Sequence, residues 1–221
     1  MKIELVPVIE IGYNNQGLDA PEKYPYWKNQ EIWYNYREMS LDKAGFEDEF
    51  KPYLKGSPFY EPKNITDKNL EKIVVDHTQE LRKGEYERQH ASCLFGGYVL
   101  KINGEDKYFP QCCGDLSDII YWDRLSNKKF SYYEGHPAPD YKFDFNKVVF
   151  DFSVGEHDEH FEPTPPNTKL KIDLRELKIA VEKAKVELKK LSERIIKINQ
   201  EMNLGIDRID DLLIWENPNH E

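Results

Sequence analysis

The chain has 221 residues, of which 39% are hydrophobic, 33% charged and 13% aromatic, and its 31 Lys and Arg against 41 Asp and Glu give a formal charge of −10. It contains no run of about 18 apolar residues that could cross a membrane, and the acidic balance opposes a broad nucleic-acid surface, which needs Lys and Arg to displace phosphate counterions. Aromatic and aliphatic residues are plentiful enough to build a core, which excludes a disordered chain.

The three cysteines are an odd number, and two are adjacent, Cys112 and Cys113. Glu4 stands where a secretory signal would be apolar. Together these predict a cytoplasmic protein with reduced thiols.

Ile3, Leu5, Ile9 and Ile11 recur with period two, so the chain is expected to open as a strand with one buried face. Pro7 cannot donate a ladder hydrogen bond and points to a sheet edge or a bulge. Gly12 to Pro25 reads as a loop. Residues 24 to 60 then hold eleven aromatics, cut into short pieces by Pro25, Gly45, Pro52, Gly56 and Pro58. A stacking platform for sugars or bases is one reading of them. Core packing is the plainer one, because aromatics carry much of the buried area in short elements, and Glu47, Asp48 and Glu49 oppose base stacking.

Leu70, Ile73, Val74, His77 and Leu81 share one helical face, predicting a helix from Thr66, its N-cap, to about Leu81, with Gly84 as terminator. His77 on that apolar face reads as a core histidine. Asn103-Gly104 between two β-prone runs predicts a two-residue hairpin, since both positions tolerate positive φ. Asp115 can cap a short helix from about Leu116 to Leu125, with Asp118 near its positive end. Tyr141, Phe143 and Phe145 alternate on odd positions and Val148, Phe150, Phe152 and Val154 on even ones, so a turn or bulge is expected at Asn146-Lys147. The proline-rich stretch 163–168 reads as a semi-stiff linker.

The C-terminal helix is the best specified element. Asp173 and Glu176 fit a capping box, and Ile172 and Leu177 fit its hydrophobic staple. Leu174, Leu177, Val181, Ala184, Leu188, Leu191, Ile195, Ile198 and Met202 alternate three-four as a heptad seam, with Ile179, Val186 and Ile196 widening it in places. Gly205 can end the helix, and Ile206 to Trp215 reads as a short trailing amphipathic helix. Residues 169–200 carry ten basic and five acidic groups, or +5, which leaves the remainder of the chain at −15.

Three sets of residues carry candidate chemistry. His157 and His160, with Glu156, Asp158 and Glu159 around them, have a spacing that could hold one metal on a helix, although the run follows Gly155 and reads more simply as a solvated acidic loop. His90 and Cys93 with Cys112 and Cys113 could form a zinc set. Adjacent cysteines chelate one ion poorly, however, because neighbouring side chains diverge in an extended chain. Cys112 or Cys113 as nucleophile with His77, His90 or His136 as base would make a small hydrolase or transferase. Buried structural thiols explain the same residues. Phosphate loops, dinucleotide fingerprints and nucleophile elbows are missing from the sequence.

The segment Phe109-Pro110-Gln111-Cys112-Cys113-Gly114-Asp115-Leu116-Ser117-Asp118, with Trp122, resembles a stretch of small uncharacterised acidic bacterial proteins over about fifteen residues. The resemblance carries no known activity. Acidic proteins of this kind include immunity proteins for secreted toxins, which cover a basic active site.

These readings converge on an α+β chain. A body over residues 1–162, with antiparallel hairpins covered by short helices, leads through the linker 163–168 to a basic helical segment over 169–221. The expected function is a non-enzymatic acidic bacterial binding protein that neutralises a toxin, without cofactor or metal, through Asp115, Asp118, Trp122, Glu156, Asp158 and Glu159. The expected partner is a protein with a basic surface, not a membrane or a nucleic acid. The heptad seam packs either on its own body or on a twin helix in a homodimer. An adaptor that assembles through this helix, for instance in a defence system, is the alternative from another class, and the cysteine-histidine enzyme is a third.

Overall fold

The computed structural model describes residues 1–133, 135–153 and 160–215. It has the α+β architecture, with two antiparallel sheets, several short helices and one long C-terminal helix. The larger sheet has the order β2-β1-β3-β4, built from β1 (Ile3–Glu10), β2 (Phe59–Tyr60), β3 (Gly96–Ile102) and β4 (Glu105–Tyr108). The smaller has the order β5-β6-β7, from β5 (Asp140–Asp144), β6 (Lys147–Asp151) and β7 (Lys169–Asp173). The helices are α1 (Gln30–Lys43), α2 (Asp67–His77), α3 (Gln79–Lys83), α4 (Ile119–Ser126) and α5 (Leu174–Glu201).

Period two sorts β1 between two cores. Ile3, Leu5 and Ile9 face the main core, while Val8 joins Phe59, Val99 and Phe109 on the back of the sheet. β1 is flanked on both sides, but β2 pairs only with Ile9 and Glu10. Along residues 3–8 β1 is thus an edge on that side, the setting Pro7 calls for. The Asn103-Gly104 turn has φ of 52° and 85°, as a two-residue hairpin with two left-handed positions requires. Thr66 accepts a hydrogen bond from the Asn69 amide at 3.2 Å and caps α2. The expected single helix breaks at Thr78, whose hydroxyl donates back to the Val74 carbonyl at 2.8 Å. Gly84 ends α3 in the left-handed conformation.

The heptad seam is spent in cis. Leu177, Val181, Ala184, Leu188, Leu191, Ile195 and Ile198 are buried, against β1, α4 and α2. Leu174 is half-buried, and Met202, past the end of the helix, is exposed. On the outer face Ile179 and Val186 lie seven residues apart, but Ile196 is rotated roughly a quarter turn away at 100° per residue, so they form no second seam. Basic groups of α5 meet the chain's own acids: Lys185 pairs with Asp123 of α4 at 2.8 Å and Arg194 with Asp67 of α2 at 2.8 Å.

The expected division at 163–168 is not a break between bodies. That stretch connects β6 to β7 within one sheet, and the segment from 169 opens as a strand rather than a helix. Asp173 ends β7 and accepts from the Arg175 and Glu176 amides at 3.0 and 3.3 Å, starting α5. Ile172 and Leu177 lie fully buried in the same core, as the staple predicts. α5 stops at Glu201, before Gly205, with Asn203 in the left-handed region at φ 51°. Of the trailing helix, a π-helical turn (Asp211–Trp215) forms, burying Leu212, Leu213 and Ile214.

Candidate functional site

The aromatic stretch divides in two. Tyr26, Tyr36, Phe46, Phe50, Phe59 and Tyr60 are buried, as core packing predicts. Tyr24, Trp27, Trp33 and Tyr34 gather on and beside α1, a helix that turn-former spacing did not anticipate, whereas Tyr53 packs on the large sheet and donates to Asp106 of β4 at 2.6 Å. Tyr24 stands 54% exposed with its ring 5.9 Å from both Trp27 and Trp33. Trp33 is fixed by its indole Nε1, which donates to the Lys23 carbonyl at 2.7 Å, and by Tyr36 edge-on at 5.7 Å. The Arg37 guanidinium lies 5.5 Å from the centre of the Trp33 ring and donates from Nε to the Gly56 carbonyl at 3.0 Å. Burial presses the Arg37 pKa below its ordinary value, against the opposing pull of Tyr60 and then Glu10.

About 100° further round α1, the adjoining face is acidic. Tyr34 is surrounded by Glu38, Glu49 and Glu31, with Lys55 5.3 Å from its ring centre and paired to Glu31. Partial burial, and then the like charge of Glu49, raise Glu38 above the usual carboxylate range, while a hydrogen bond from Tyr34 works the other way. Asp42, Glu47 and Glu49 extend the acidic rim in exposed positions, with Lys68 paired to Glu47. Held aromatic rings beside crowded carboxylates can receive a cationic, partly apolar surface. Tyr, Trp and Arg are the residues that anchor protein interfaces.

The expected partner contacts need correction. Asp118 and Trp122 are each only 2% exposed and offer a partner no surface. Asp118 turns inward because its Oδ2 accepts from the Asp115 amide at 3.3 Å, while Asp115 Oδ1 accepts from the Ser117 amide at 2.7 Å, completing a capping box around the helical turn Leu116–Asp118. Trp122 packs among Tyr108, Tyr121 and Phe150. Asp115 is half-buried by the same cap. Glu156, His157, Asp158 and Glu159 lie outside the described residues, and His160 beside them is exposed.

Cys93 is buried, with its Sγ donating to the Leu212 carbonyl at 3.3 Å, whereas Cys112 and Cys113 are exposed. His136 meets Cys112 through the backbone, its amide donating to the Cys112 carbonyl at 2.9 Å. His90 ends an exposed helical turn, Arg88–His90. His77 directs Nε2 to the Ser92 carbonyl at 2.9 Å and has Phe95 edge-on at 5.9 Å, at the wall of a cleft of about 440 Å³ shared with Tyr13 and Asp76. Burial lowers the His77 pKa, opposed by Ser92 and then Asp115. Among the described residues no three His, Cys, Asp or Glu side chains gather to hold a metal ion, and no helix is long and apolar enough to cross a membrane.

A groove of about 560 Å³ runs between α5, β1 and residues 61–67, over Leu5, Ile65, Ala180 and Leu191. Arg194 closes one end through hydrogen bonds to the Pro62 and Ile65 carbonyls at 2.8 and 2.6 Å. Compared with known proteins, the chain matches no protein-family model, no curated protein and no solved structure.

Proposed function

We propose that the chain is a non-enzymatic acidic binding protein, most concretely a toxin-neutralising protein of the immunity kind, which uses the α1 face to cover a basic surface of its partner. The observation that carries this reading is the crowding of Glu31, Glu38 and Glu49 around Tyr34 beside the held rings of Trp33 and Tyr24. Like charges in such proximity cost stability, and a cationic partner would relieve that cost on binding. The acidic excess of the chain would speed encounter with such a partner and make the rate depend on salt. The experiment is affinity capture from the native host at low salt, with the wild-type chain beside a Trp33→Ala/Glu38→Lys variant. Recovery of one basic protein by the wild type alone supports the reading; equal recovery by both contradicts it.

An adaptor that assembles through the C-terminal helix is a second reading, favoured by the groove along α5. Substituting Lys183→Trp at the exposed lining of that groove separates the two: loss of assembly with α1-dependent capture intact supports the adaptor.

A further inference from the structure

Adjacent cysteines on an extended chain point apart, yet the Cys112 and Cys113 sulfurs stand 3.4 Å apart, both exposed. The cause is a turn. The Gly114 amide donates to the Gln111 carbonyl at 3.1 Å, so the cysteines are its two central residues, and Cys113 has φ of 69°. Positive φ at the third residue marks a type II turn, a position that ordinarily takes Gly or Asn. A cysteine there gives up backbone comfort and gains a sulfur on the side of its neighbour.

The turn stands on a fixed base. Gln111 is buried, donates from Nε2 to the Phe109 and Glu162 carbonyls at 2.8 and 3.2 Å, and accepts from the Glu162 amide at 2.8 Å. On the other side the Gly96 amide donates to the Gly114 carbonyl at 2.9 Å, and the His136 amide to that of Cys112 at 2.9 Å. The two thiols are therefore held close before any ligand arrives, so little ordering remains to oppose binding.

We propose that Cys112 and Cys113 form a dithiol site for a trivalent thiophilic centre of the arsenic class that carries one substituent of its own. With bonds of ~2.3 Å to each sulfur, a separation of 3.4 Å sets a sulfur–centre–sulfur angle of roughly 95°, which suits a trigonal pyramid better than the ~109° of a tetrahedral zinc site. A tetrahedral ion would also need further protein ligands, and among the described residues no set of three is present. A monosubstituted arsenical needs only two. Its arsenic–oxygen double bond is exchanged for two arsenic–sulfur bonds, the two thiol protons leave with the oxygen as one water, and no electrons are transferred.

The test uses the full reduced chain and phenylarsine oxide, read by intact mass. One phenylarsenic group per chain is expected, resisting excess 2-mercaptoethanol and released by 2,3-dimercaptopropanol. Cys112→Ser and Cys113→Ser should each weaken retention by about 100-fold or more, the loss expected when two linked contacts become one. Cys93→Ser should bind as the wild type does, and circular dichroism checks that all three variants fold. An adduct that survives either Cys112→Ser or Cys113→Ser, or that depends on Cys93, overturns the proposal. So does a wild-type adduct that 2-mercaptoethanol displaces as readily as it does from the single-serine variants.

Discussion

Arg37 donates from Nε to the carbonyl oxygen of Gly56 at 3.0 Å, and this bond ties α1 to the turn that leads into β2. Gly56 can accept it only by lying close to the helix. Its φ is +78°, and a Cβ there would stand 2.6 Å from the Gln30 carbonyl oxygen and 3.2 Å from Trp33 Cβ. Gly56→Ala therefore combines a left-handed backbone penalty with a collision against α1 and is expected to cost about 2–4 kcal/mol. Gly45 has φ of +83° with nothing within 4 Å of its Cβ position, so Gly45→Ala should cost only the backbone part, about 1 kcal/mol. Urea denaturation of both variants measures the difference.

The cis-packed seam of α5 predicts a sharp contrast along one helix. Leu188 is fully buried in the core, whereas Val186, two residues away, is 55% exposed. Leu188→Ala should destabilise by about 2–5 kcal/mol, and Val186→Ala by no more than about 0.5 kcal/mol. If the seam served a twin helix instead, Leu188→Ala would lower the molecular mass seen by light scattering at micromolar concentration; the structure predicts no change in mass.

His77 gives the fold a pH dependence of known sign. Its pKa is lowered from the ordinary 6.5, chiefly by burial, so the folded chain holds the neutral ring while the unfolded chain takes up a proton first. The stability that follows is fully present above 6.5 and is lost as pH falls through the window between 6.5 and the lowered folded value. His77→Gln should flatten this slope in unfolding measured between about pH 7.5 and 5.5. An unchanged slope contradicts the assignment.

Glu38 behaves in the opposite sense. Burial and the charge of Glu49 raise its folded pKa, so its ionisation weakens the fold as pH rises through that value. Glu38→Gln should raise stability at neutral pH by a few tenths of a kcal/mol, the size of other exposed like-charge contacts, and the gain should vanish at pH values well below the carboxylate range. The same substitution should weaken partner capture, so stability and binding move in opposite directions.

Particular residues show how far the sequence carries. Elements whose pattern reflects a single constraint were legible in it: the period-two face of Ile3, Leu5 and Ile9, the left-handed pair Asn103-Gly104, and the three-four seam begun by Asp173. α1 was not. Only Tyr36, Ser40 and Leu41 of its residues are buried, so its apolar positions make no stripe. The signal that could have revealed it is the lack of any Gly or Pro from Tyr26 to Ala44. Asp118 was taken for a surface acid because carboxylates usually are one; a capping box that folds the side chain back on its own turn is a tertiary outcome. Cys112 and Cys113 were expected to diverge, and a single φ reverses that, which composition and spacing do not encode. The charge split was visible, but only the structure assigns part of the helix's positive charge to Asp123 and Asp67.

The most direct test of the α1 binding face is amide hydrogen exchange of the chain alone and with its captured basic partner. Slowed exchange over residues 30–43 and 46–50, lost in the Trp33→Ala/Glu38→Lys variant, is the predicted result. Protection confined to α5 or to the turn at 111–114, with α1 unchanged, would contradict it.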